Sequence, residues 1–63
     1  MAYEVIVTRD SDNVMAVCWT HWVTADGLNI PLDLERAIGV MNDLKMLFSS
    51  KDYSFAVRES TEG

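Results

Sequence analysis

Residues 14–23 read Val-Met-Ala-Val-Cys-Trp-Thr-His-Trp-Val, the longest dense run of β-branched and aromatic residues in the chain. Such residues favour a β-strand, in which successive side chains point to opposite faces. Both faces of this strand are apolar, because Val14 and Trp22 fall on one face while Met15 and Trp19 fall on the other. We therefore expect the strand to lie inside a sheet, with a helix covering one of its faces.

The small size of the chain makes its means of stabilisation a first question. Its 63 residues form one domain, and a domain of this size buries only about 60% of the surface of its unfolded chain. Cys18 is the single cysteine and His21 the single histidine, so one chain can form neither an internal disulfide nor a zinc site of the usual ligands. We expect no metal and no cofactor. Self-association as a homodimer remains open.

The charge balance limits the classes of partner. Ten acidic and five basic residues give a net charge of −5. Affinity for nucleic acids comes mainly from clustered lysine and arginine, and the five cations here are scattered, so we expect no direct nucleic-acid binding. The sequence has no signal-peptide pattern and no apolar run near the roughly 20 residues that span a bilayer. We expect a cytoplasmic protein with no membrane contact.

Turn-forming residues divide the first half of the chain. Tyr3–Thr8 is a predicted strand, and the turn formers of residues 9–13 join it to the strand of residues 14–23 as an antiparallel hairpin. Asp26-Gly27 ends the second strand and favours a positive φ at Gly27. Residues 28–32 are an apolar connector that we expect to cover the core, with a short extra strand as the alternative.

The second half predicts one helix and one strand. Asp33 is the expected N-cap of a helix over Leu34–Ser49. One apolar stripe follows the helical period and is expected to face the sheet: Leu34, Ala37, Ile38, Met41, Leu44 and Phe48. Gly39 lies on the other side, where it is either tolerated or admits another backbone. Tyr53–Glu59 alternates cleanly and is the predicted third strand, and residues 60–63 are expected to fray.

The order strand, strand, helix, strand predicts an α+β fold. We expect a two-layer sandwich in which one helix packs on one face of a three-stranded antiparallel or mixed sheet. The third strand can pair beside the first or the second, and the sequence leaves that choice open. The apolar character of residues 14–23 favours the second strand as the central one.

No convergent set of catalytic groups is visible in the sequence. Cys18 and His21 are three residues apart on a strand and point to opposite faces, so they cannot form a nucleophile–base pair within one chain. We interpret them as a small buried thiol and a partly buried histidine. The chain is therefore predicted not to be an enzyme.

The aromatic residues point to a protein-binding surface instead. Trp19 and Trp22 are predicted on opposite faces of one strand, so one of them should lie on the face away from the helix. Exposed aromatic side chains on a sheet face are typical of interfaces. The residues predicted to bind a partner are Trp19, Trp22 and His21, with Asp10 and Asp12 of the first turn assisting association.

The length, acidity and strand-strand-helix-strand layout resemble small phage-encoded proteins that bind and disable host machinery, such as RNA-polymerase inhibitors and anti-CRISPR proteins. The resemblance covers nearly the whole chain in layout and involves no specific residues. It implies an inhibitor that occludes a surface of a larger protein in the host cytoplasm. Two alternatives remain: a homodimeric structural or regulatory module that self-associates through its outer sheet face, and an acidic mimic of nucleic acid.

Overall fold

The computed structural model describes residues 2–60, which form one helix and five strands. In chain order these are β1 (Tyr3–Arg9), β2 (Val14–Trp19), β3 (His21–Val23), β4 (Asn29–Pro31), α1 (Leu34–Leu47) and β5 (Tyr53–Glu59). A three-stranded antiparallel sheet has the order β2-β1-β5, and β3 pairs with β4 in a second sheet. The predicted α+β fold, with one helix on one face of a three-stranded sheet, is confirmed.

The core lies between the central strand β1 and the helix. Val5 and Val7 of β1 are fully buried and contact Ala37 and Leu44 of α1. Leu32, in the segment that leads into the helix, is also fully buried in this cluster. The Tyr3 N–H donates to the Leu32 carbonyl at 2.8 Å, which fixes this segment against the start of β1.

The helix begins where the sequence predicts and ends slightly earlier. The Asp33 carboxylate accepts a hydrogen bond from the Arg36 N–H at 2.7 Å, as an N-cap does, and the helix ends at Leu47 rather than Ser49. The predicted apolar stripe is buried only along its centre, because Leu34 and Ile38 at its flank stay exposed. A Cβ added at Gly39 would meet nothing within 4 Å, so this glycine is tolerated and no other backbone approaches it.

The expectation that residues 14–23 lie inside the sheet is wrong, since β1 is central and β2 is an edge strand. The hairpin runs β2 antiparallel to β1, and α1 then returns from the Tyr3 end of β1 toward its Arg9 end. Phe48 and Tyr53 pack edge to face at the Arg9 end, where β5 begins, with ring centroids 4.9 Å apart. β5 therefore runs antiparallel to β1 and parallel to β2. By pairing with β1, on the side opposite β2, it forms an antiparallel contact, whereas pairing with β2 would have been parallel.

The predicted second strand is also split in two. The Thr20 carbonyl accepts a hydrogen bond from the Leu32 N–H at 3.2 Å, and residues 21–23 pair with β4 instead of continuing along β1. The connector thus contains the short strand of the alternative prediction, and its Leu32 covers the core as expected. Gly27 has the predicted positive φ, at 84°.

The predicted frayed tail is described only at its first residue. The Ser60 N–H donates to the Ala2 carbonyl at 3.0 Å, which extends the contact between the two ends of the described chain. Residues 61–63 of the predicted tail lie outside the described residues.

Replacing Leu32 tests whether the connector is part of the core. Leu32→Ala removes a side chain that is 0% exposed, and such substitutions cost about 2–5 kcal/mol. Leu28→Ala, in the same connector at 61% exposure, should change the free energy of unfolding by about 0.5 kcal/mol or less. Urea denaturation of both variants measures the difference, and equal losses would contradict the described core.

Candidate functional site

The most unusual surface of the molecule is β2, Val14–Trp19, which we call the β2 edge. Five of its six residues are exposed, including Val14 at 50%, Met15 at 54% and Trp19 at 43%. None of the six carries a charge. β2 pairs with β1 along one side, and no strand within residues 2–60 pairs with its other side. The β2 edge is therefore an apolar strand with one row of backbone groups left unpaired by the sheet.

The register with β1 assigns each β2 side chain to a face of the sheet. Directly opposed residues of antiparallel strands point to the same face. Val17 is opposite Val7 and Trp19 is opposite Val5, so both lie on the face that the helix covers. Cys18 is opposite Ile6 and Met15 is opposite Thr8, which places these two residues on the outer face.

A β-bulge at Ala16 interrupts this alternation. Between the pairs Val7–Val17 and Thr8–Met15 the register shifts by one residue, which leaves Ala16 as the extra residue of β2. Val14 is then opposite Arg9 and lies on the helix face together with Trp19, although residues five apart in a regular strand lie on opposite faces. Because of the bulge, the side chains at the two ends of the β2 edge, Val14 and Trp19, point to the same face of the sheet.

The outer face of the three-stranded sheet is the face opposite the helix. Ile6 lies at its centre, between Cys18 and Ala56, and is only 7% exposed, whereas its two neighbours are exposed. At one end Arg58 forms an ion pair with Glu4. At the other end the Ser54 hydroxyl donates to Asp10 at 2.6 Å. The two carboxylates on this face, Glu4 and Asp10, are thus both paired within the chain.

The two tryptophans have different environments, and neither lies on the outer face. The expectation that one of them faces away from the helix is wrong, because the chain leaves the sheet at Thr20 between them. Trp22 packs against the core cluster, and the Arg36 guanidinium sits 3.6 Å from the centroid of its ring. Trp19 stays 43% exposed at the end of β2. Of the two predicted anchors, Trp19 is the accessible one.

Cys18 and His21 are both exposed, so the expectation of a buried thiol and a partly buried histidine is wrong. The reason is the edge position of β2 and the turn of the chain at Thr20. The Thr20 hydroxyl and His21 Nδ1 are hydrogen-bonded at 2.9 Å. No group of three metal-ligating side chains occurs among residues 2–60.

The two aspartates predicted to assist binding are exposed but already paired. Asp12 forms an ion pair with Arg9, whose Nε donates to Oδ1 at 3.0 Å, and Asp12 also accepts from the Val14 N–H at 3.2 Å. Asp10 accepts from the Ser54 hydroxyl. Both belong to the turn before Val14, whereas Trp19 ends the strand about 17 Å away at 3.4 Å per residue. The β2 edge connects the two groups of predicted residues.

The sequence does not reveal that β2 itself is exposed. A strand that is apolar on both faces is typical of a sheet interior, so the pattern places Val14, Met15 and Cys18 there. The sequence signal that points to this surface is the absence of any charged residue from Val14 to Trp19. The third strand could pair with either strand of the hairpin, so an edge position for residues 14–19 was one of two possible arrangements. That signal identifies an apolar strand but does not show whether it is covered.

Comparison with known proteins identifies no relative: no family model, no curated protein and no solved structure matches the chain. Within residues 2–60, no helix combines the length and the apolar character needed to cross a membrane.

The Arg9–Asp12 pair predicts a titration that can be measured. The hydrogen bond from Arg9 holds the pKa of Asp12 below its usual range, and the pKa of Arg9 is raised in return. A carboxyl group with a lowered pKa stabilises the fold above its ordinary pKa and loses that contribution as the pH falls through the lowered value. NMR titration should show a higher Asp12 pKa in Arg9→Gln, and an unchanged Asp12 pKa would contradict the pairing.

Proposed function

We propose that this chain is a non-enzymatic protein-binding module that uses the β2 edge to cover a surface of a larger protein. The observation that carries the proposal is the uncharged edge strand, of which five of six residues are exposed. Proteins usually protect such edges with charged side chains, proline, bulges or covering segments. Here the bulge at Ala16 is the one such device within β2.

Two physical contributions make the β2 edge suited to binding. Its unpaired backbone groups can accept an extended segment of a partner as an added strand, which supplies affinity through main-chain hydrogen bonds. Its side chains include Trp19 and Met15, and both residue types are enriched in protein interfaces. The added strand would satisfy the backbone while the partner's side chains cover these two residues.

The residues predicted from the sequence take separate roles in this proposal. Trp19 is the aromatic anchor at one end of the β2 edge, and the exposed His21 lies just beyond it. Asp10 and Asp12 border the other end, where their internal pairing fixes the turn that starts β2. Trp22 is a structural residue under Arg36, and it contributes to binding by holding the chain beyond Trp19 in place.

The proposal extends to the biological class of the module. The layout shared with small phage-encoded inhibitors supports an inhibitor that works by occlusion in the host cytoplasm. Occlusion needs no catalytic group, and an edge strand that captures an extended segment can block that segment from its normal partner. The layout alone supports this part of the proposal.

A matched pair of methionine variants tests the β2 edge. Met15→Lys places a charge on the edge strand, whereas Met46→Lys makes the same change on α1 at a residue that is 86% exposed. Because both side chains are exposed, neither variant should change the free energy of unfolding by more than about 0.5 kcal/mol. Affinity capture from a lysate of the host cells should lose the specific partner with Met15→Lys and keep it with Met46→Lys.

The tryptophan variants need a different interpretation from the methionine pair. Trp19→Ala should weaken capture and destabilise the fold less than Trp22→Ala, because the Trp19 ring is 43% exposed. Trp22→Ala removes a ring packed on the core and should also destabilise the fold, so it is informative only beside a denaturation curve. Equal capture by wild type, Met15→Lys and Trp19→Ala would overturn the proposal.

A further inference from the structure

We propose that, when no other partner is bound, the β2 edge pairs with the β2 edge of a second copy of this chain. The two strands run antiparallel, with Val14 opposite Trp19 and Met15 opposite Cys18 of the other copy. The two three-stranded sheets then form one six-stranded sheet, with order β5-β1-β2 continued by β2-β1-β5 of the second copy. This inference goes beyond the proposed function, although both use the same edge.

The facing of the β2 side chains supports this register. In an antiparallel pair, opposed residues must point to the same face of the sheet. Val14 and Trp19 both lie on the helix face, and Met15 and Cys18 both lie on the outer face. Each pair is symmetric under exchange of the two copies, as a two-fold interface requires. The exposed side chains of Val14, Met15, Cys18 and Trp19 are thus matched in facing with the same four residues of the second copy.

The bulge at Ala16 is what makes this match available. Without it, Val14 and Trp19 would lie on opposite faces, and so would Met15 and Cys18. The register shift between Val7 and Thr8 reverses the facing of the first two residues of β2 relative to the last three. A bulge usually protects an edge by distorting it, but here it also produces a symmetric pattern.

The charge distribution favours a second copy in the antiparallel direction. The β2 edge itself carries no charge, so pairing two copies buries no ion. Antiparallel pairing places the acidic turn with Asp10 and Asp12 at the Trp19 end of the other copy, which keeps the two acidic turns apart. Parallel pairing would bring these turns together and add like-charge repulsion.

The cross-strand contacts of the dimer include a favourable aromatic pair. Trp19 and Val14 form an aromatic and β-branched cross-strand pair on the helix face, and this combination occurs twice in the symmetric dimer.

The edges of the dimer explain why pairing would stop at two copies. The edges that remain in the dimer are the two β5 strands. β5 carries Arg58 and Glu59 near its end, and charges of this kind discourage further strand addition.

The first test is the concentration dependence of the mass. Sedimentation equilibrium of the full chain from micromolar to millimolar concentration should show the average mass approaching twice the monomer value. Cys18→Lys should abolish this increase, whereas Ala56→Lys should retain it, because Ala56 lies on the same outer face but on β5. Added salt should strengthen the dimer by screening two copies that each carry a charge of −5. A monomer throughout, or equal effects of both variants, would overturn the inference.

A cysteine pair tests the register directly. In the proposed register Met15→Cys faces Cys18 of the other copy, so an oxidant such as diamide should take two electrons from each thiol pair and form a covalent dimer. Within one chain, the introduced thiol and Cys18 lie about 10 Å apart along the strand, beyond the roughly 7 Å limit for a disulfide. Wild type should form no covalent dimer under oxidation, and neither should Met46→Cys. Cross-linking of wild type as efficient as that of Met15→Cys would overturn the register.

The outcomes separate this inference from the proposed function. A chain that stays monomeric but still captures a partner sensitive to Met15→Lys disproves self-pairing and supports the binding module. A chain that dimerises through β2 but captures nothing disproves the binding module and supports self-pairing.

Discussion

The width of the helix relative to the sheet decides most of the surface properties of this molecule. An α-helix with its side chains is about 10–12 Å across, and neighbouring strands lie about 4.8 Å apart. One helix therefore covers roughly two strands, and α1 packs on β1 and β5. Val5 and Val7 are fully buried as a result, while Val14 and Trp19, on the same face of β2, stay exposed. The uncovered strand follows from having a single helix over three strands.

The local elements could be predicted from the sequence because each depends on short-range chemistry. The Asp33 cap, the strand Tyr53–Glu59 and the positive φ at Gly27 all follow from propensities of a few neighbouring residues. The strand order could not be predicted, because it depends on which side of β1 the returning chain meets. The split at Thr20 depends on a hydrogen bond from Leu32, twelve residues away, and no local pattern indicates it.

The candidate site shows the same division between local and long-range causes. The sequence identified Trp19 and the apolar character of its strand, but it could not separate Trp19 from Trp22. That separation needs Arg36 of the helix, which covers one indole and leaves the other accessible. The bulge at Ala16 was also beyond sequence reasoning, since it is defined by pairing with Val7 and Thr8. These long-range contacts determine which side chains of the apolar strand are exposed and to which face of the sheet each one points.

Amide hydrogen exchange tests the central claim most directly, namely that β2 has one side left open for another strand. In dilute protein, β2 amides that point away from β1 should exchange rapidly, while those of the central strand β1 are protected by pairing on both sides. The same β2 amides should become protected when a partner strand is added. If the outward β2 amides are as protected as those of β1 in dilute monomeric protein, the edge is covered and the account is wrong.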